Sequence, residues 1–182
     1  MTAQRTAGSD AGQHVARRLD RRISCRARIR RAEERDAPAI AEMANALALL
    51  TTGKPGQMTA DLARHDLIGD RRLGCLVADR DGEAIGYALW SAAYETAFAT
   101  RGIYVSDLYV RPAQRRGGVG HALMRALARV CRAEGGRYIW WAVSPENPTA
   151  QRFYDSLGAI SDPVDARAVI DVHFQALLED QV

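Results

Sequence analysis

The spacing of apolar and polar positions changes along the chain and marks most of its elements. Residues 25–31 (C-R-A-R-I-R-R) alternate in steps of two, as an edge or half-buried strand does. Ala39, Ile40, Met43, Ala44, Leu47 and Leu50 then recur in steps of three and four. They predict a helix lying on a sheet, with Asp36 as its N-cap and Pro38 in its first turn. Residues 51–58 (T-T-G-K-P-G-Q-M) have the composition of a loop, and a short helix carrying Leu62, His65 or Asp66, and Ile68 begins at Thr59. Strands are predicted over 74–79 and 84–94, joined by Arg80-Asp81-Gly82-Glu83, where Asp-Gly favours the positive φ of a tight hairpin. After a loose connection over 95–101, a third strand occupies 102–110.

Beyond Pro112 the spacing becomes helical. Residues 120–134 form a helix with Ala122, Leu123, Ala126, Leu127 and Val130 towards the sheet and Arg125, Arg129 and Arg132 towards water, ended by Gly135-Gly136. Residues 137–143 (R-Y-I-W-W-A-V) read as a strand long enough to be central. Asn147 caps a short helix over 149–157, with Pro148 at its first position and Gly158 as its stop. Residues 168–177 read as a terminal strand or mixed segment. Three antiparallel strands followed by strand, loop and helix predict an α+β fold, not a doubly wound one. Residues 1–24 have no sustained apolar period and are expected to be a basic extension of a single domain over 25–182.

Charge and composition narrow the function. Residues 1–35 hold ten arginines and four acids, a local +6 in a chain of net charge +3, which leaves −3 on the remainder. The basic arm lacks interleaved aromatics on which bases could stack, so it is read as a solvated extension and nucleic acid is not an expected partner. No apolar run approaches the ~18 residues of a membrane span. Cys25, Cys75 and Cys131 are odd in number and far apart, which fits reduced thiols in a cytoplasmic protein. His14, His65, His121 and His173 are scattered, and no metal site is expected.

The chemistry concentrates in 104–123, where a strand, a glycine-rich turn and a helix follow in succession. Glycines let the backbone approach an anion closely, and the unbonded N–H groups of a helix's first turn point at it. The turn reads Arg115-Arg116-Gly117-Gly118-Val119-Gly120, or R-x-x-G-x-G. It follows an antiparallel strand and has neither the third glycine of a dinucleotide fingerprint nor a P-loop lysine.

This turn, the preceding D-L-Y-V, and the later block N-P-T-A-Q-R-F-Y-D-S-L-G-A (147–159) resemble the GNAT superfamily of N-acetyltransferases over about residues 28–159. The layout is most similar to diamine (spermidine/spermine-type) acetyltransferases and related amino-acid enzymes. The resemblance implies a mixed, mainly antiparallel central sheet flanked by helices and splayed between its fourth and fifth strands, acetyl-CoA as co-substrate, transfer to a primary amine of a small polyamine or amino-acid-like molecule, and a homodimer. Acetylation of a protein or peptide amine, and an acyl-CoA-binding regulatory module without turnover, are the rival readings.

Carried over by position, the backbone of Leu108, Tyr109 and Val110 would meet the thioester and pantetheine, one N–H stabilising the oxyanion. Arg115, Arg116, Gly117, Gly118, Val119, Gly120 and His121 would cradle the pyrophosphate, chiefly through main-chain N–H groups. Asn147 would touch the cofactor arm. Tyr154 would lie near the sulfur, where a phenol of pKa about 10 can return a proton to a thiolate of pKa about 8.5. Phe153 is expected in the core. Asp107 is the candidate base, with Ser106 standing where the diamine enzymes carry a glutamate; Glu42, Glu95 or a water chain are alternatives. Ser106 and Asp107 face opposite sides of a regular strand and could share a pocket only across a bulge. Trp90, Trp140 and Trp141 either line a pocket or pack in the core or an interface.

Overall fold

The sheet follows chain order: β1 (Arg28–Arg31), β2 (Gly74–Arg80), β3 (Glu83–Glu95), β4 (Thr100–Val110) and β5 (Tyr138–Trp140). The first four strands pair antiparallel, and β5 lies parallel to β4. The computed structural model describes residues 27–70 and 73–161, which fall in two compact units, Met1–Ser144 and Pro145–Val182. The sheet belongs to the first. The expected terminal segment 168–177 and the basic extension lie outside the described residues.

The predicted hairpin forms with Asp81 at φ 54° and Gly82 at φ 88°. Strand 137–143 is shorter than its composition predicts. Only Tyr138–Trp140 pairs, with Gly102–Tyr104, and among the described residues β5 has no neighbour on its other side. An aromatic, β-branched run carries strand propensity, but length is set by how long a partner stays within hydrogen-bonding distance. At the contact, the Tyr138 ring lies where a Cβ on Gly102 would be, 2.4 Å from its nearest atom, so β5 can dock only against a glycine.

Helix α1 (Ala37–Thr52) buries Ala37, Ile40, Ala41 and Met43 against one face of the sheet, together with Ala63 and Leu67 from the segment that follows. That segment begins as α2 (Ala60–Leu62), capped by Thr59 Oγ1 accepting from Leu62 N at 3.1 Å, and widens into π-type turns over Ala63–Gly69. Val77, Tyr87, Leu89 and Tyr109 contribute the sheet side of this core. Leu50 was expected on the packing face but is 62% exposed, because the last turn of α1 runs past the sheet. Helix α3 (Val119–Ala133) packs on the sheet through Val119, Leu123, Met124, Leu127 and Cys131. The buried stripe is turned from the predicted one, taking in Met124 and Cys131 while Ala122, Ala126 and Val130 stay half-buried. In the second unit, helix α4 (Pro148–Asp155) is capped by Asn147 Oδ1, which accepts from Ala150 N at 3.0 Å.

Asp36 was expected to cap α1, yet its carboxylate makes no cap bond. It is 4% exposed and accepts from Arg30 Nη1 at 2.6 Å, Arg30 Nη2 at 2.9 Å and Glu33 N at 2.8 Å. Arg30 also donates to Asp79 Oδ2 through Nε (2.9 Å) and Nη2 (2.7 Å), tying β1, β2 and the start of α1 together. Burial alone would raise the Asp36 pKa, but the Arg30 bonds, the Glu33 amide and nearby arginines outweigh it and hold the carboxyl below its ordinary range.

A buried carboxylate with a depressed pKa stabilises the fold above the ordinary carboxylate range, and that contribution is lost as pH falls through the folded value. Arg30→Met strands Asp36 without its cation and is expected to cost about 3–5 kcal/mol at pH 7. Denaturant titrations of both proteins from pH 7 downwards should show the gap narrowing as Asp36 becomes protonated.

Candidate active site

β4 supplies the centre of the site, because its two edges end at different places. Towards β3 it is paired from Glu95↔Thr100 to Gly86↔Val110, with Ser106 left out of the register. Towards β5 pairing stops at Tyr104, and residues 105–110 have no strand partner on that edge among the described residues. The sheet is therefore open between its fourth and fifth strands, as the sequence implied. Arg111 N donates to Ile85 O of β3 at 3.0 Å, which fixes the alternation just upstream. Backbone groups of Tyr109 point to β3, while those of Leu108 and Val110 point into the opening. Of the three residues expected to offer backbone groups to a ligand, Leu108 and Val110 turn theirs to this open edge, where Val110 O accepts from Arg115. Tyr109 instead puts its side chain into the α1 core, where it is buried.

The turn after β4 is held from several sides. Gln114 N bonds Arg111 O at 2.8 Å and Arg115 N bonds Pro112 O at 3.2 Å, making a tight turn over Pro112–Gln114. Arg111 pairs with Glu42 of α1 (2.5 and 2.9 Å) and donates from Nε to Ala84 O at 3.2 Å. Arg80 of β2 hydrogen-bonds the Gln114 amide oxygen. Arg116 (φ 63°) and Gly118 (φ 79°) take left-handed backbone, and Gly118 leads directly into α3. The helical ladder starts with Ala122 N bonded to Gly118 O at 3.0 Å, so the amides of Val119 and Gly120 have no acceptor inside the helix. Amides of this kind favour an anion.

Arg115 does not extend towards the turn's free amides. Its Nε donates to Val110 O at 2.9 Å and its guanidinium lies 5.5 Å from the centre of the Tyr109 ring. Arg116 is exposed. His121, in the first turn of α3, has its pKa lowered by burial and then by Arg125, which favours the neutral ring at pH 7.

The register of β3 and β4 slips by one residue in the middle: Leu89 faces Asp107 and Trp90 faces Val105, leaving Ser106 as an extra, exposed residue. This is the bulge without which Ser106 and Asp107 could not share a side. It sets Asp107 across from Leu89, on the α1 face of the sheet with Tyr87 and Tyr109. The fully buried Tyr87 donates its phenol proton to Asp107 Oδ2 at 2.6 Å. Burial raises the Asp107 pKa above its ordinary range, and the Tyr87 bond only partly offsets this.

The alternative carboxylates are differently placed. The Arg111 bonds hold Glu42 below its ordinary pKa, which makes it a weaker base. Glu95 pairs with Thr100 at the far end of the β3–β4 hairpin, on the order of 20 Å along the strand from Leu89. Trp90 is buried over Gly74 near the Arg31 guanidinium, whereas Trp140 is partly exposed and tilts against Tyr104 with ring centres 5.0 Å apart. Cys131 is buried and donates to Tyr138 O at 3.3 Å, as a packed thiol does.

In the second unit, Phe153 and Tyr154 lie edge to face with ring centres 5.2 Å apart, both half-buried, so Phe153 is less enclosed than expected. Burial raises the Tyr154 pKa and keeps its phenol protonated at neutral pH. Tyr87 was absent from the sequence-derived candidates. Its position in an apolar strand gives no signal, and only the pairing register brings it to Asp107.

A mixed sheet opened between its fourth and fifth strands, with a glycine turn and spare helix amides at the end of the opened edge, defines the acyltransferase class. The chain matches the Acetyltransferase (GNAT) family over residues 29–159 and belongs to it. It is 31% identical over 142 residues to a thialysine N-epsilon-acetyltransferase of Mus musculus, covering 72% of this chain and 83% of that one. The Bos taurus protein of the same name is 34% identical over 93 residues, 47% of this chain and 54% of the relative. An L-ornithine N5-acetyltransferase of Arabidopsis thaliana is 32% identical over 74 residues, 41% of this chain and 32% of the relative. The match thus spans about half the length of the cattle protein and a third of the plant one.

Solved structures agree in fold. An integron cassette protein of V. cholerae superposes with a TM-score of 0.71 at 19% identity, covering 86% of this chain and 99% of that one. A ribosomal-protein-alanine N-acetyltransferase of Brucella melitensis does so with 0.66 at 22%, covering 78% and 98%. Among the described residues no helix is long and apolar enough to cross a membrane.

An acid with a raised folded pKa costs stability above that pKa, and the cost disappears as pH falls. Asp107→Asn is therefore expected to melt higher than the parent protein at pH 8. Scanning calorimetry across pH should show the difference shrinking towards the ordinary carboxylate range.

Proposed function

We propose that this protein transfers the acetyl group of acetyl-CoA to the terminal primary amine of a small amino-acid-like or polyamine substrate. The observation that carries this reading is the edge of β4 at Leu108 and Val110, which has no strand partner among the described residues and leads directly into a turn whose first helix amides have no acceptor inside the helix. That sequence of donors and acceptors fits an extended amide-bearing arm ending in a pyrophosphate. The thialysine and ornithine enzymes among the relatives act, by their names, on amines of amino-acid side chains.

Acetyl-CoA brings an activated thioester; the protein's residues position it and move protons. Asp107, directly or through water, takes a proton from the incoming ammonium so that the nitrogen lone pair can form the new C–N bond. An N–H on the open edge of β4 stabilises the negative charge growing on the carbonyl oxygen. The C–S bond breaks as that charge returns, the Tyr154 phenol gives its proton to the departing sulfur, and the second proton of the attacking nitrogen passes through water to the phenolate, leaving a neutral amide. Positioning and charge stabilisation supply most of the effect, without an acyl-enzyme. Burial raises the Asp107 pKa, which makes its carboxylate a stronger base than an ordinary aspartate. The protein works as a cytoplasmic homodimer in this reading, which rests on its resemblance to the diamine enzymes and its thiol pattern.

The test mixes purified protein with acetyl-CoA and thialysine, ornithine, lysine, spermidine or a peptide amine, and follows free thiol. Release is expected with the small ω-amines and little with the peptide. Acetyl-CoA binding without thiol release from any of them would leave a binding module and overturn the proposal. Tyr154→Phe is expected to lower kcat about a hundredfold with little change in the KM for acetyl-CoA, as measured by initial rates.

Gly118→Val imposes a β-branched side chain at φ 79° and is expected to weaken CoA binding at least tenfold by isothermal titration, through distortion of the turn.

A further inference from the structure

We infer that Tyr87 is a positioning residue for the reaction, its phenol fixing one oxygen of the Asp107 carboxylate so that the other is presented to the acceptor amine. The inference rests on the proposed function, which makes Asp107 the base, and goes beyond it by assigning the group that aims that base.

Three observations support it. First, Asp107 Oδ2 accepts from Tyr87 at 2.6 Å, and Oδ1 accepts no side-chain hydrogen bond among the described residues. One carboxylate oxygen is anchored and its twin remains available. Second, Tyr87 is itself enclosed. It is fully buried in the core made with α1, and it stands across the ladder from Tyr109, two pairs along from Leu89↔Asp107 and on the same face. A donor on a packed β-strand holds its acceptor more closely than one on a loop. Third, the bulge at Ser106 puts Asp107 on the face where Tyr87 already lies. An unbroken register would set Asp107 across from Ala88, on the opposite face, beyond reach of the phenol.

The surroundings make the contact consequential for proton transfer. Tyr87 faces Asp107 from β3, the buried Cys75 thiol lies nearby on β2, and Tyr109 follows on β4 itself. Asp36, in the turn before α1, acts on Cys75 and is neutralised by Arg30. Helix α1 brings Ile40 and Met43, and the segment after it Ala63 and Leu67, none of them titratable. No arginine or lysine pairs with Asp107 among the described residues, so Tyr87 is what steadies its charged form. A packing role alone would tolerate phenylalanine here, since only the hydroxyl would be lost.

The experiment uses the full chain with aspartate carboxyls labelled with 13C, titrated by NMR, and the Asp107 signal identified by its loss in Asp107→Asn. In Tyr87→Phe the Asp107 midpoint is expected to move up in pH. The same variant should lose about tenfold in kcat with the KM for acetyl-CoA within about twofold, the size expected for one hydrogen bond to a charged group. The acidic limb of kcat/KM for the amine should move up with the midpoint. An unmoved midpoint, or a moved midpoint with unchanged kcat, overturns the inference. If Tyr87→Phe does not fold, 3-fluorotyrosine at position 87 makes a stronger donor and must move the midpoint down; no movement is again decisive against it. Failure of the underlying reading looks different: the parent protein releases no thiol with any amine, or Asp107→Asn turns over like the parent, whatever the titration shows.

Discussion

Among the described residues β4 pairs with β3 along its length except at the Ser106 bulge and with β5 for three residues, and the candidate site lies on that asymmetry. The short contact with β5 is made possible by Gly102, whose missing side chain leaves room for the Tyr138 ring. Beyond Tyr104 the outer edge of β4 has no strand partner among the described residues. Unpaired strand edges are costly when buried and adhesive when exposed, so natural sheets usually cover or blunt them. Here the edge ends in a turn whose first helix amides have no acceptor inside the helix.

That turn is firm without relying on its glycines alone. Arg111 reaches back to Glu42 on α1, Gln114 is met by Arg80 from β2, and Arg115 folds onto Val110. The arginines nearest the turn thus serve the scaffold, and the positive character of the site comes from helix amides more than from side chains.

Two acids illustrate opposite effects of burial. Asp36 is surrounded by donors, and its charge helps clamp β1 and β2 to the first helix. Asp107 is half-buried and, among the described residues, accepts from the Tyr87 phenol with no cation beside it, so its charged form is held at some cost. That cost is what makes Asp107 the base in the proposed reaction.

The sequence by itself determined the order and type of most elements, the hairpin at Asp81-Gly82, the Asn147-Pro148 helix start and the glycine turn, because each depends on local backbone preferences. It also carried the family pattern. What it could not determine was everything set by strand register. One extra residue at Ser106 moves Asp107 to the other face of the sheet and brings it to Tyr87, twenty positions earlier in the chain, and no local pattern encodes that meeting. Strand 138–140 is shorter than its composition predicts and Asp36 bonds an arginine instead of capping a helix, for the same reason: the partner available in space outcompetes the local preference. Strand register therefore sets which backbone groups at the end of β4 face away from β3, and how the Asp107 carboxylate is held.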